Sequence, residues 1–90
     1  MPVIRIPAPL RHYSGGQPEV AVQGETVAAA MEDLMNLFPA FRPQLYKQDG
    51  SLRSFVNLFL ETRNIRDLQG LSTPVEPGTT INLVPSIAGG

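Results

Sequence analysis

Cysteine is absent from the 90-residue chain, and histidine occurs once. Without cysteine there is no disulfide scaffold, no thiolate nucleophile, no cysteine zinc site and no cysteine relay within the chain. One histidine makes no cluster, so no metal site is expected. Cations are scarce as well: seven Lys and Arg stand against eight Asp and Glu, for a net charge of −1. Nucleic-acid affinity comes mostly from clustered Lys and Arg, so a nucleic-acid partner is not expected. No apolar run approaches the ~18–20 residues of a membrane span. The opening Met1-Pro2-Val3-Ile4-Arg5 lacks a basic stretch followed by a long apolar one. No signal peptide is therefore expected, and the expected location is cytoplasmic. Neither a GxxxxGKS/T nor a GxGxxG loop is present for a nucleotide. These absences remove most enzyme chemistries.

What remains is an ordinary globule of 42% hydrophobic and 17% charged residues. Its length predicts one domain, with enough chain to bury roughly 60–68% of the unfolded surface around one core. Ile4 and Ile6 flank Arg5 in an alternation that predicts a short strand, ended by Pro7 and Pro9. Ser14-Gly15-Gly16-Gln17-Pro18 is turn chemistry, and Val20 and Val22 resume the apolar alternation. The two segments predict a β-hairpin with a longer, proline-containing connection. Thr26 is a hydroxyl N-cap for a helix whose buried stripe is Val27, Met31, Leu34 and Phe38, spaced as one face of a 3.6-residue period. Pro39 ends it. Residues 39–54 read as a loop-rich crossover anchored by Leu45 and Tyr46.

Phe55-Val56-Asn57-Leu58-Phe59-Leu60 is the clearest strand, with aliphatic residues on one side and both phenylalanines on the other. Glu61–Asn64 turns the chain, and Ile65 is the expected start of a short return arm. Between 69 and 74, Leu71 is the expected buried anchor. Glu76-Pro77-Gly78-Thr79 reads as a tight turn leading into the strand Thr80–Val84, and Pro85 is expected to stop the ladder. The predicted fold is α+β: a mixed sheet of four to five strands with one main helix across one face. Residues 1–85 form the expected domain, and 86–90 are expected to be a flexible tail, Ser86-Ile87-Ala88-Gly89-Gly90.

Fully extended, those last five residues span about 16–18 Å, enough to carry a terminal carboxylate into another protein's active site. Glycines without Cβ can thread a channel that side chains would block. Thr80–Pro85 followed by Gly89-Gly90 resembles the end of ubiquitin-like β-grasp proteins, and more closely the MoaD/ThiS family of sulfur carriers. Phe55-Val56-Asn57 is similar to that family's Val-Asn strand, and Pro77-Gly78-Thr79 to its polar turn. Leu10-Arg11, Gly15-Gly16-Gln17, Val84-Pro85 and Ala88-Gly89-Gly90 further resemble the subgroup that carries sulfur for cysteine synthesis.

The resemblance implies a carrier or substrate protein rather than an enzyme. An E1-like enzyme would use ATP to adenylate the Gly90 carboxylate, and a sulfur donor would displace AMP to leave a thiocarboxylate. An acceptor biosynthetic enzyme would then receive the sulfur, with no cofactor bound to the chain itself. The alternatives are the small subunit of molybdopterin synthase, a thiamine-pathway carrier, and a ubiquitin-like modifier attached to lysines. An inert β-grasp binding module is a further one. Ala88 and Gly89 would thread with Gly90, and Phe55, Phe59, Val84, Pro85 and Ile87 are the expected partner-binding residues. The competing arrangement has the 39–54 loop covering one or both phenylalanines. His12 is read as an exposed turn residue, Met31 and Met35 as core filler, and Arg5, Arg11 and Arg53 as scattered solvating charges.

Overall fold

The structure is a computed structural model, and it describes residues 1–85. Val3–Arg5 forms β1, Glu19–Ala21 β2, Val27–Leu37 helix α1, Phe41–Leu45 helix α2, Val56–Leu60 β3, Arg63–Asn64 β4 and Thr80–Pro85 β5. Short 3₁₀ turns occupy Ala8–Ser14, Ile65–Asp67 and Gly70–Ser72. The five strands make one sheet in the order β2-β1-β5-β3-β4. β1 and β2 are antiparallel, as a hairpin requires, whereas the central pair β1 and β5 is parallel. β3 runs antiparallel to β5, with Val56 opposite Pro85 and Leu60 opposite Ile81. The chain therefore leaves β5 from the middle of the sheet.

α1 forms where the sequence predicts it. The Thr26 hydroxyl accepts from the Ala29 backbone N–H at 3.1 Å, satisfying one of the four donors a helix start leaves open. Val27, Ala30, Met31, Leu34 and Met35 are buried from α1. They close over Ile4, Ile6, Val56, Leu58, Ile81 and Leu83 on the inner sheet face. Apart from Ala30, each such side chain contributes roughly 1.5–3 kcal/mol through burial, so this layer is what holds the sheet together. Phe38 is only half-buried, because the helix ends at Leu37.

Four expectations are revised. The 39–54 crossover is not all loop: α2 lies within it and buries Phe41 completely. Pro43 hides this helix from a sequence reading, yet at the third helical position its missing N–H would have had no partner anyway. The return arm starts at Arg63, not Ile65, which instead opens a 3₁₀ turn capped by Asn64. Leu71 is half-buried, and the anchors of its segment are Thr73 and Val75. Thr73 is a tolerable buried polar residue because its hydroxyl donates to Gly70 O at 2.7 Å and accepts from Gln69 N at 3.0 Å. The proline-containing hairpin connection is largely the Ala8–Ser14 3₁₀ turn rather than irregular loop. Buried Ser14 closes it, its single hydroxyl proton shared between Gln17 O at 2.7 Å and Arg11 O at 3.0 Å.

Candidate functional site: the root of the C-terminal tail

Alternation along the strands decides what surrounds the end of β5. Ile81 and Leu83 point into the core, so Asn82 and Val84 point to the outer sheet face. The same rule on β3 turns Asn57 and Phe59 outward, since successive strand residues face opposite sides. Register then aligns Glu19, Arg5, Asn82, Phe59 and Asn64 in one row across all five strands. Val84 stands opposite Asn57, one step nearer the tail.

Phe55 and Val84 are the apolar side chains that this end shows to solvent, 46% and 43% exposed. Phe59 is half-buried, as is Pro85. Gly90, Gly89, Ala88 and Ile87, the other residues singled out from sequence, lie outside the described residues. A shallow groove of about 180 Å³ runs beside the root, bounded by Arg5 and Arg11 on one side and Asn82 and Val84 on the other. Arg5 and Asn82 were not expected as groove walls; their outward parity was the available signal. Arg5 approaches Glu19 at 3.6 Å with both side chains more than half exposed, a pair of little energetic weight.

A larger groove of about 410 Å³ lies apart from the outer sheet face, against α2 and the turn at 46–53. Burial pushes the Tyr46 phenol in its wall above the ordinary value; Glu32 adds to the rise and Arg42 opposes it. Hydrogen bonds from Ser51 hold the exposed Asp49 carboxyl below its ordinary value. His12 is exposed and stacks on Tyr13, with ring centroids 4.0 Å apart. No group of three or more His, Cys, Asp or Glu placed to hold a metal occurs among the described residues. None of the helices described is long and apolar enough to cross a membrane. Among the described residues, the tail root thus offers a partly apolar surface beside the end of β5.

A hairpin, a helix crossing its sheet, and a final strand laid parallel to the first define the β-grasp fold of ubiquitin-like proteins. The chain belongs to the ThiS family, whose sequence profile matches residues 4–90. It is similar to the sulfur carrier protein CysO of Mycobacterium tuberculosis, 32% identical over 89 residues that cover 97% of this chain and 96% of that one. Among solved structures, CysO in the BexX/CysO complex of Amycolatopsis orientalis matches with a TM-score of 0.90 at 29% identity, covering 100% of both chains. Small archaeal modifier protein 1 of Methanosarcina acetivorans also matches at 0.90, with 26% identity over 99% of this chain and 95% of that one.

Proposed function

We propose that this chain is a sulfur carrier whose C-terminal Gly90 is activated as an acyl adenylate and converted to a thiocarboxylate. The observation that carries the reading is positional. A central strand ends at Pro85 beside an exposed apolar pair, and the family match continues through Gly89 to Gly90.

The chemistry needs activation because a carboxylate is a poor electrophile: its charge is delocalised and its leaving group would be oxide. On an E1-like enzyme, a Gly90 carboxylate oxygen attacks the α-phosphorus of ATP and pyrophosphate leaves. A donor supplying sulfur at the sulfide level then attacks the carbonyl carbon through sulfur, AMP leaves with the electron pair of the broken C–O bond, and loss of the sulfur-bound proton leaves the thiocarboxylate. Sulfur becomes a soft nucleophile addressed by the globule that carries it, as in other covalent group carriers. The chain acts here as substrate and partner, without catalysis of its own. An acceptor enzyme of cysteine synthesis is the favoured destination, given the CysO relatives. Molybdopterin synthase and a thiamine-pathway enzyme rank behind it. Incubating the chain with its E1-like enzyme, ATP and a sulfur donor is expected to give the mass change of one oxygen replaced by one sulfur. Persistence of the unmodified mass while the enzyme turns over another carrier refutes the reading.

Phe55 and Val84 are the proposed contact for these enzymes, since exposed apolar side chains beside a reacting end are what a partner can bury. Changing both to Ser is expected to leave the urea midpoint nearly unchanged, because each is already about half exposed. The KM of the chain in adenylation should rise about tenfold or more, matching the ~1–2 kcal/mol of a truncated contact residue. A large fall in stability with unchanged KM would make them structural instead.

The likeness to an archaeal modifier protein favours a second reading, attachment of Gly90 to lysines of other proteins. A Gly-Gly remnant on such lysines after digestion is its signature. Lys47 is the single lysine of the chain and is exposed, so self-linked polymers could grow through that position alone.

A further inference from the structure

Three arginines distant in sequence hold their guanidinium groups in the same way. Arg11 Nε donates to Ile6 O at 2.9 Å, and Arg53 Nε donates to Pro43 O at 3.0 Å. Arg66 Nη2 donates to the carbonyls of Ser54 and Val56, each at 3.2 Å. Every acceptor is a neutral backbone carbonyl. The ion pairs among the described residues, Arg5 with Glu19 and Arg42 with Glu32, include none of the three. Each head is therefore tethered to backbone rather than paired with a carboxylate, although Asp67 follows Arg66 on the same 3₁₀ turn. A guanidinium has five N–H donors, so each keeps N–H groups free for a carboxylate.

All three lie at the end of the sheet where β5 finishes. Ile6 and Arg11 follow β1, which runs parallel to β5. Arg53 and Ser54 immediately precede β3, whose Val56 is opposite Pro85; the Arg53 head reaches from there to α2, where it also lines the larger groove. The other end of β5 has the reverse sign. Glu61 accepts from the Thr80 backbone N–H at 3.3 Å, and Glu76 opens the turn that leads into β5. Glu25 sits beside Val75, whose N–H its carbonyl accepts. Arg63, opposite Leu60 on β4, is a cation at that acidic end. A net charge of −1 thus conceals a polarity along the central strand: Arg11, Arg53 and Arg66 outnumber Asp67 at the end where β5 finishes.

We propose that Arg11, Arg53 and Arg66 form a cationic collar at the root of the tail, which docks on carboxylates rimming the tail-accepting channel of the activating enzyme. The inference rests on the sulfur-carrier reading, because tail insertion is what brings this end against a partner. Pinning matters energetically. A free arginine loses about 2 kcal/mol of rotamer entropy when immobilised, and these three are already ordered by their carbonyls. Fixed charges around a central apolar contact steer encounter and set orientation, while Phe55 and Val84 supply the buried area.

The test is the association rate of the full chain with its E1-like adenylating enzyme, measured without ATP. Ionic strength is raised from about 0.01 to 1 M, which shortens the Debye length from ~30 to ~3 Å. The collar predicts a steep fall with salt. Combined Arg11→Gln, Arg53→Gln and Arg66→Gln should slow association about tenfold or more at low salt and flatten the salt dependence. Arg63→Gln should change neither. Should the triple variant lose stability, the wild-type salt dependence still decides. Association indifferent to salt, or a folded triple variant as fast as wild type, overturns the collar. AMP formation is assayed in parallel. Salt-steered binding without AMP sinks the carrier reading alone, and AMP with salt-indifferent binding sinks the collar alone.

Discussion

Deleting Gly90 is expected to abolish AMP formation on the E1-like enzyme while leaving the domain as stable as before. Removing one residue retracts the terminal carboxylate by about 3.3–3.6 Å. The attacking oxygen must sit roughly 3–3.5 Å from phosphorus, and a misplacement of about 1 Å can already cost ~10²-fold. The shortened chain should therefore lose at least ~100-fold in adenylation. Ending the chain with a residue appended after Gly90 should be as damaging, since it overshoots by the same length. Thermal unfolding is the control: Gly90 lies five residues beyond Pro85, the last residue of the sheet, so the midpoint should not move. The measurement divides the candidate functions cleanly. Sulfur carrier and protein modifier both need the activated carboxylate and both fail without it, whereas an inert binding module keeps its partner. Formation of the thiocarboxylate mass by the wild type then separates the first two.

The parts of this architecture that were legible in the sequence are those with a local cause. The α1 stripe from Val27 to Leu34 and the Thr26 cap are both short-range patterns, and the structure has them in place. Alternation placed Val56, Leu58, Ile81 and Leu83 inside and Phe55 and Val84 outside, because a period of two needs no knowledge of the fold. Elements with no period were missed. α2 spans only Phe41–Leu45 and contains a proline, and β4 is the two residues Arg63–Asn64; neither is long enough to establish a repeat. Thr73 displaced Leu71 as an anchor through two hydrogen bonds of its hydroxyl, which hydropathy does not register. The arginines illustrate the limit most clearly. Read along the chain, Arg11 and Arg53 are isolated charges. Only the parallel β1–β5 pair and the β3 register bring them to one end of the sheet. Their contacts with the carbonyls of Ile6 and Pro43 are ones that no spacing rule encodes.

Gly24→Ala is expected to be among the most destabilising single-methyl changes available in this chain. Gly24 precedes α1 with φ at +153°, a conformation that residues with a Cβ adopt at a cost of about 1–3 kcal/mol. Space makes matters worse. An alanine Cβ would lie 2.6 Å from Ala30 N and 2.8 Å from Ala29 C. Both are backbone atoms of the first turns of α1, so no side chain can swing aside, and relief requires moving the helix. Ala30 is fully buried and its N–H bonds to Thr26 O at 2.9 Å, so the displacement would strain both the helix start and the core beneath it. Overpacking of this kind adds roughly 1–3 kcal/mol. A total near 3 kcal/mol is a large share of the ~5–13 kcal/mol expected for a domain of this size. It should lower the thermal midpoint by about 12 °C or more. Gly78→Ala is the matched control. Gly78 also has a positive φ, +88°, but an added Cβ there would meet nothing within 4 Å. It should therefore carry the conformational cost of about 1–2 kcal/mol alone. Equal midpoints for the two variants, read by circular dichroism, would show that the close approach to α1 has no energetic weight. A clear gap between them measures how tightly the hairpin is pressed against the helix that orders the sheet.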